Sequence, residues 1–259
     1  MVHYRDDGPN TLNVTISSPG GGGGATPPKK DDKDTGGPVS PSVSGVDRLL
    51  NTDDHIHFIE GYEDGSVRPE RNISRAETAM MLYRLLRDQN VTITQSFDDV
   101  ADDMWYTEAV RKLASMGIIL GYEDGSFRPN QPITRAEFTA MAARFAYATE
   151  GKMYFTDVGD GFWAYQQIIA ASTYGWINGY EDETFRPQNA ITRAEAAAVL
   201  NRMLGRKADM PYAMAHEDEL VYFFDLRKDK WYYADMVEAT NGHDHEGENS
   251  TEVWKKIRH

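Results

Sequence analysis

The string GYEDGSFRPNQPITRAE at residues 121–137 decides how this chain is read, because the chain spells it three times. GYEDGSVRPERNISRAE stands at 61–77 and GYEDETFRPQNAITRAE at 179–195. The opening glycines Gly61, Gly121 and Gly179 are 60 and 58 residues apart. A period of this size marks a repeat architecture, in which each unit buries its apolar face only against its neighbours.

Each interval holds two helical segments. One follows the string, as in RAEFTAMAARFA, where Phe138, Met141, Ala142 and Phe145 share a helical face. The other precedes it, over 102–117 and 161–175, with Trp105, Ala109, Leu113 and Met116 on one face. Gly117 and Gly175 are placed to stop these helices in the left-handed conformation. The first copy has no leading helix, because LLNTDDHIHFIE at 49–60 is too short and polar. An orphan leading half stands at 222–242 instead. There Phe224-Asp225 is matched with Phe97-Asp98 and with Phe155-Thr156-Asp157, and Trp231 with Trp105 and Trp163. The orphan halves are expected to complete each other, closing three modules on themselves with approximate threefold symmetry.

The string ends on Ser74-Arg75-Ala76-Glu77, Thr134-Arg135-Ala136-Glu137 and Thr192-Arg193-Ala194-Glu195. S/T-x-x-E is a capping box: the hydroxyl accepts the N3 amide and the glutamate accepts the N-cap amide. Such a cap is worth about 1 kcal/mol per helix. It leaves the arginine unexplained, since the helix dipole disfavours a cation at the first helical position. Two readings of Arg75, Arg135 and Arg193 stay open. They receive a carboxylate or phosphate bidentately, or they bridge to an acidic neighbour such as Asp98, Asp157 or Asp225. Because the arginine is no cap, Arg135→Ala is expected to leave the fold intact.

The turn Gly-Tyr-Glu-Asp-Gly lacks the D-x-D-x-D-G rhythm of a calcium loop. Arg68, Arg128 and Arg186 precede prolines and are expected in extended backbone. Trp105, Trp163 and Trp231 read first as core residues, and second as exposed platforms for a sugar face. His243 and His245 lack a third ligand at metal spacing, so no metal or other cofactor is expected.

The 259 residues carry a formal charge of −14, which disfavours nucleic acid and anionic membrane surfaces. No segment approaches the length of a membrane span, so no membrane insertion is expected. Cysteine is absent, which removes disulfides and thiolate chemistry. Residues 1–16, with the strand-like LNVTI at 12–16, read as the remnant of a preceding region. Residues 17–45 read as a flexible Gly/Pro/Ser linker. The triplet follows over 46–259: 46–90 the second half of repeat one, 97–148 repeat two, 155–206 repeat three, 222–243 a closing half-repeat and 244–259 a tail. Acidic residues recur copy by copy, which suits repeated binding better than the single carboxylate pair of a glycan hydrolase. A non-catalytic module is expected, with a self-assembling surface lattice as the alternative.

G-Y-x-D-G-x-F-R-P followed by I-T-R-A-E, with F-x-D-V and W-x-x-x-x-I upstream, resembles the S-layer homology (SLH) domain over roughly residues 49–243. The layout is similar to a permuted triplet, in which repeat one begins just before its turn and a W-Y-Y-A-D helix closes the end. The resemblance implies a mainly α fold of three helix-turn-helix modules in a pseudo-threefold assembly. It implies a secreted anchor on the Gram-positive cell wall or S-layer, part of a longer surface protein. Its implied partner is a secondary cell-wall polysaccharide, often pyruvylated, held in grooves between modules. The family's ligand arginine carries over to Arg75, Arg135 and Arg193. Asp98, Asp157, Asp225 and the glycines Gly61, Gly121 and Gly179 follow as further binding positions. Glu183 replaces the second turn glycine of copy three, where a positive φ would be strained.

Overall fold

The computed structural model describes residues 37–247 and 252–258. The strand reading at 12–16 and most of the linker reading lie outside them. Among the described residues the fold is mainly helical. The helices are α1 (Pro41–Ser44), α2 (Arg75–Arg84), α3 (Thr107–Ser115), α4 (Arg135–Ala143), α5 (Tyr165–Thr173), α6 (Arg193–Leu204), α7 (Met210–Ala215) and α8 (Tyr233–Thr240). One antiparallel ribbon follows, β1 (Gly242–Glu246) with β2 (Val253–Arg258).

All three capping boxes form at the starts of α2, α4 and α6. A capping box satisfies the N3 amide of a helix and leaves those of N1 and N2 open. Here the next copy's loop takes both. Arg75 N–H donates to Gln131 O and Ala76 N–H to Pro129 O. Arg135 and Ala136 do the same to Asn189 and Pro187, and Arg193 and Ala194 to Arg71 and Pro69. The isoleucines before the boxes form a closed triangle. Ile133 N–H donates to Ile73 O, Ile73 to Ile191 and Ile191 to Ile133, at 3.0–3.1 Å. All three side chains are buried.

The leading segments dock twice. Their helices pack on the string helix of the preceding copy: α3 on α2, α5 on α4 and α8 on α6. Their F-x-D stretches dock on the turn of their own copy. A Cβ on Gly61, Gly121 or Gly179 would lie 2.2–2.5 Å from the ring of Phe223, Phe97 or Phe155. So the C-terminal half does complete copy one, with Asp225 accepting Val67 N–H and Arg68 N–H at 2.8 and 2.7 Å.

The structure corrects several details. The residue that fills the place of Phe97 is Phe223, one position before the expected Phe224, which is exposed. Helices α3 and α5 are shorter than their periodicity suggests, and Trp105 and Trp163 fall in the turns ahead of them. Gly117 and Gly175 end these segments at φ 74° and 73°, as the spacing predicts. Residues 38–45, read as linker, are docked: Val39 N–H donates to Tyr174 O and the Tyr147 ring lies over Gly45. Apolar Val39 and Val46 give this piece something to bury. Arg68, Arg128 and Arg186 are not extended, with φ between 50° and 59°. Each has its own N–H and the preceding one bound to a single aspartate, which holds the backbone in that conformation. Glu183 has φ 61°, the positive value its turn demands.

Deleting 222–259 removes the Phe223 ring from Gly61 and the aspartate from the first turn. Limited proteolysis is expected to cut first within 49–72, with a lowered melting temperature. An unchanged cleavage pattern and melting temperature would contradict the closure.

Candidate functional site in the clefts between copies

Two side-chain sets meet wherever one copy's arginine reaches the next copy's turn. Arg75 sends Nε–H to Phe127 O at 2.7 Å and pairs through Nη1 with Glu137 Oε1 at 3.1 Å. Arg135 repeats this with Phe185 O at 2.9 Å and Glu195 at 3.1 Å. Arg193 repeats it with Val67 O at 2.8 Å and Glu77 at 3.4 Å. The three arginines are buried, at 2, 8 and 4% exposure. Each guanidinium also lies 4.6–5.1 Å from a tyrosine ring, Tyr122, Tyr180 or Tyr62.

The structural ion pair is therefore present, but its partner is the capping-box glutamate of the next copy, not an aspartate. That glutamate works on both sides. One oxygen accepts the N-cap amide of its own helix, and the other accepts the foreign arginine and the turn tyrosine. Burial pushes the hydroxyls of Tyr62 and Tyr122 upward, and the adjacent carboxylate adds to the shift. Burial also raises Glu77, but Ser74 N–H, the Tyr62 hydroxyl, Arg71 and Arg193 outweigh it and hold the carboxyl below its usual range.

The clefts are not equivalent. Around Arg193 every arm of the guanidinium is used, since Nη2 donates to Glu60 O at 2.8 Å. Arg71 also bonds Glu77 and Tyr62 there, and Glu60 pairs with Arg84 at 2.7 Å. Gln131 and Asn189 stand where Arg71 does, and Leu120 and Asn178 where Glu60 does. Among the described residues, Nη2 of Arg75 and of Arg135 has no hydrogen-bond partner. The Arg135 cleft, about 170 Å³, is lined by Gly179, Tyr180, Glu195, Arg202 and Trp231.

Of the expected binding positions, the structure thus gathers Arg135, Gly179 and Trp231 in one cleft. Trp231 and Trp105 are 64 and 59% exposed, against the core reading, and Trp163 is half-buried. The three glycines have a steric role under phenylalanine rings. Asp157 and Asp225 bind turn amides, and in copy two that place belongs to Asp99, while Asp98 is exposed. The F-x-D spacing was the signal that separates Asp99 from Asp98. Nothing local announced Tyr62, Tyr122, Tyr180 or Arg202.

The pairing reverses the expectation that the arginine is dispensable to the fold. Arg75→Ala leaves Glu137 buried without its cation and is expected to cost about 3 kcal/mol in urea denaturation. Arg128→Ala removes an exposed pair with Asp124 and should leave the midpoint almost unmoved. Equal effects would contradict this placement. The depressed Glu77 carboxyl contributes stability that is complete above the ordinary carboxylate range and lost as pH falls through its lowered value. The stability gap between Glu77→Gln and the parent should therefore narrow on acidification through about pH 4.

Comparison with known proteins places this geometry. The S-layer homology domain matches residues 58–79, 96–139 and 154–197. The chain is 36% identical over 214 residues to a cellulosome-anchoring protein of Acetivibrio thermocellus, covering 78% of this chain and 46% of that one. It is 35% identical over 219 residues to cell surface glycoprotein 1 of the same organism, covering 79 and 9%. An amylopullulanase of Thermoanaerobacterium thermosulfurigenes is 34% identical over 163 residues, covering 60 and 9%. The chain thus spans about half or less of the length of these relatives. With three matched repeats and a C-terminal half-repeat supplying the first turn's Phe223 and Asp225, the chain belongs to the S-layer homology domain family of Gram-positive surface proteins, in a permuted triplet.

Proposed function

We propose that this chain is a non-catalytic anchor that fixes a longer surface protein to the cell wall by binding an anionic secondary cell-wall polysaccharide. The Arg135 cleft carries the reading. It has a cation at its back with an uncommitted N–H edge, a second arginine in Arg202, and the exposed Trp231 indole beside them. A guanidinium edge suits a carboxylate such as that of a pyruvate ketal. An exposed indole suits the apolar face of a sugar ring. At the Arg75 junction the same Nη2 edge lacks a hydrogen-bond partner among the described residues but is more deeply buried, whereas at Arg193 the Glu60 carbonyl takes Nη2.

The relatives support anchoring over catalysis. One is named for anchoring the cellulosome and others for the cell surface. Those named as an amylopullulanase, an exoglucanase and a xylanase carry different activities but share this region. A part common to unlike enzymes and to non-enzymes is tied to none of their reactions.

Calorimetric titration with native and depyruvylated wall polysaccharide tests the reading. Binding should vanish with the pyruvate. Trp231→Ala, which removes a 64% exposed ring that meets the core only edge-on at Tyr232, should weaken binding by about five- to tenfold with little change in melting temperature. Equal binding to both polymers would refute anion recognition. Binding to neither, with mass rising on concentration, would favour the lattice alternative.

A further inference from the structure

The C-terminal ribbon covers a cluster that the wall-binding reading does not use. His55, Glu238, His243 and Glu252 come from four separate segments, with 197 residues between the first and the last. His243 Nε2 lies 2.9 Å from His55 Nδ1 and 2.9 Å from Glu252 Oε1. His55 Nδ1 is 3.1 Å from the same oxygen. Glu238 Oε1 completes the group, 3.7 and 3.6 Å from the two ring nitrogens. All four side chains are at most 4% exposed.

Protons alone do not satisfy this arrangement. His243 Nδ1–H donates to Asn241 O at 3.1 Å, so in the neutral imidazole Nε2 presents its lone pair to the centre. Glu252 Oε1 already accepts Trp254 Nε1–H at 2.9 Å. His55 Nδ1 can bring one proton at most, and two acceptors stand within its reach. Glu238, 1% exposed, has neither oxygen hydrogen-bonded among the described residues. The nearby Arg206 makes no hydrogen bond to it, and its Nη groups donate to the carbonyls of Ile56, Asn51 and Asp54. A buried carboxylate without donors is strongly unfavourable unless a cation meets it.

The geometry points to one zinc ion held by His55 Nδ1, His243 Nε2, Glu238 and Glu252. Tetrahedral zinc with bonds of about 2.0–2.2 Å needs donor atoms about 3.3–3.6 Å apart. The five separations above, 2.9–3.7 Å, bracket that range. Two imidazoles with two carboxylates favour zinc over calcium or magnesium, which prefer all-oxygen shells. The outer partners fit as well: Asn241 O orients His243, while Lys207 N–H at 2.9 Å and Trp254 orient Glu252. An open cleft of about 400 Å³ bordered by His55 and His245 gives an entry path. Four buried protein ligands make a closed, structural site. The ion would staple the segment before the first turn to α8 and the ribbon.

This inference stands independently of the wall-binding reading. The test uses the full chain without an affinity tag, stripped with chelator, incubated with zinc and desalted for metal analysis. One zinc per chain is expected, and cobalt in its place should give the intense visible spectrum of a tetrahedral site. Chelation should lower the melting temperature by at least about 5 °C, restored by zinc. Glu238→Gln and His243→Ala should lose the ion, while His216→Ala, whose ring stacks on Tyr212 away from the cluster, should keep it. If His243→Ala does not fold, the cobalt spectrum of the parent and Glu238→Gln still decide. Zinc well below one per chain, a weak octahedral cobalt spectrum, or undiminished uptake by Glu238→Gln would overturn the proposal.

Discussion

Each string helix begins with orphan amides that only the next copy satisfies, and the rest of the structure depends on that constraint. Helices of 9–12 residues are too short to hold by themselves in water. The capping box meets one amide and the neighbour's loop meets two more, in a circuit that returns to its start through Ile73, Ile191 and Ile133. The arginine adds a side-chain link in the same direction, from Arg75 to Glu137, Arg135 to Glu195 and Arg193 to Glu77. No copy can be removed without leaving two others with unpaired amides and a buried charge. That makes the circuit cooperative, and it explains why the chain brings its last segment back to complete its first turn.

The same circuit builds the clefts. Since the arginine comes from one copy and the tyrosine and glutamate from the next, the cleft exists only at a junction. The junctions differ in a few contacts. At the Arg193 junction the Glu60 backbone carbonyl takes Nη2 and Arg71 bonds Glu77, whereas Gln131 and Asn189 stand in the place of Arg71 and Nη2 of Arg75 and Arg135 has no hydrogen-bond partner among the described residues. Repetition supplies the scaffold, and loss of repetition at a few residues makes the junctions unlike one another.

Much of this was legible in the sequence because it is local. The capping boxes lie within one turn of helix, and Gly117 and Gly175 stop their helices where spacing places them. The orphan halves could be paired by counting alone. What escaped is what lies between copies. The arginine's partner is about 60 residues away or more, beyond any rule about neighbours, so the ion pair was one of two open readings and its example acids were the wrong ones. Asp98 and Asp99 are adjacent acids, and only the docking of Phe97 under Gly121 tells which one reaches the turn amides. The left-handed backbone at Arg68, Arg128 and Arg186 follows from that same aspartate, against the local preference before proline. His243 lacked visible partners for a similar reason, because His55, Glu238 and Glu252 approach it from three other segments.

The closed circuit is tested most directly by hydrogen exchange at the amides of Ile73, Ile133 and Ile191. Each is the donor of one side of the triangle and belongs to a different copy. A single cooperative ring requires all three to exchange with the same free energy, equal to that of global unfolding. Exchange of Ile73 at markedly lower energy, while Ile133 and Ile191 stay protected, would show copies that open one by one and would contradict the account.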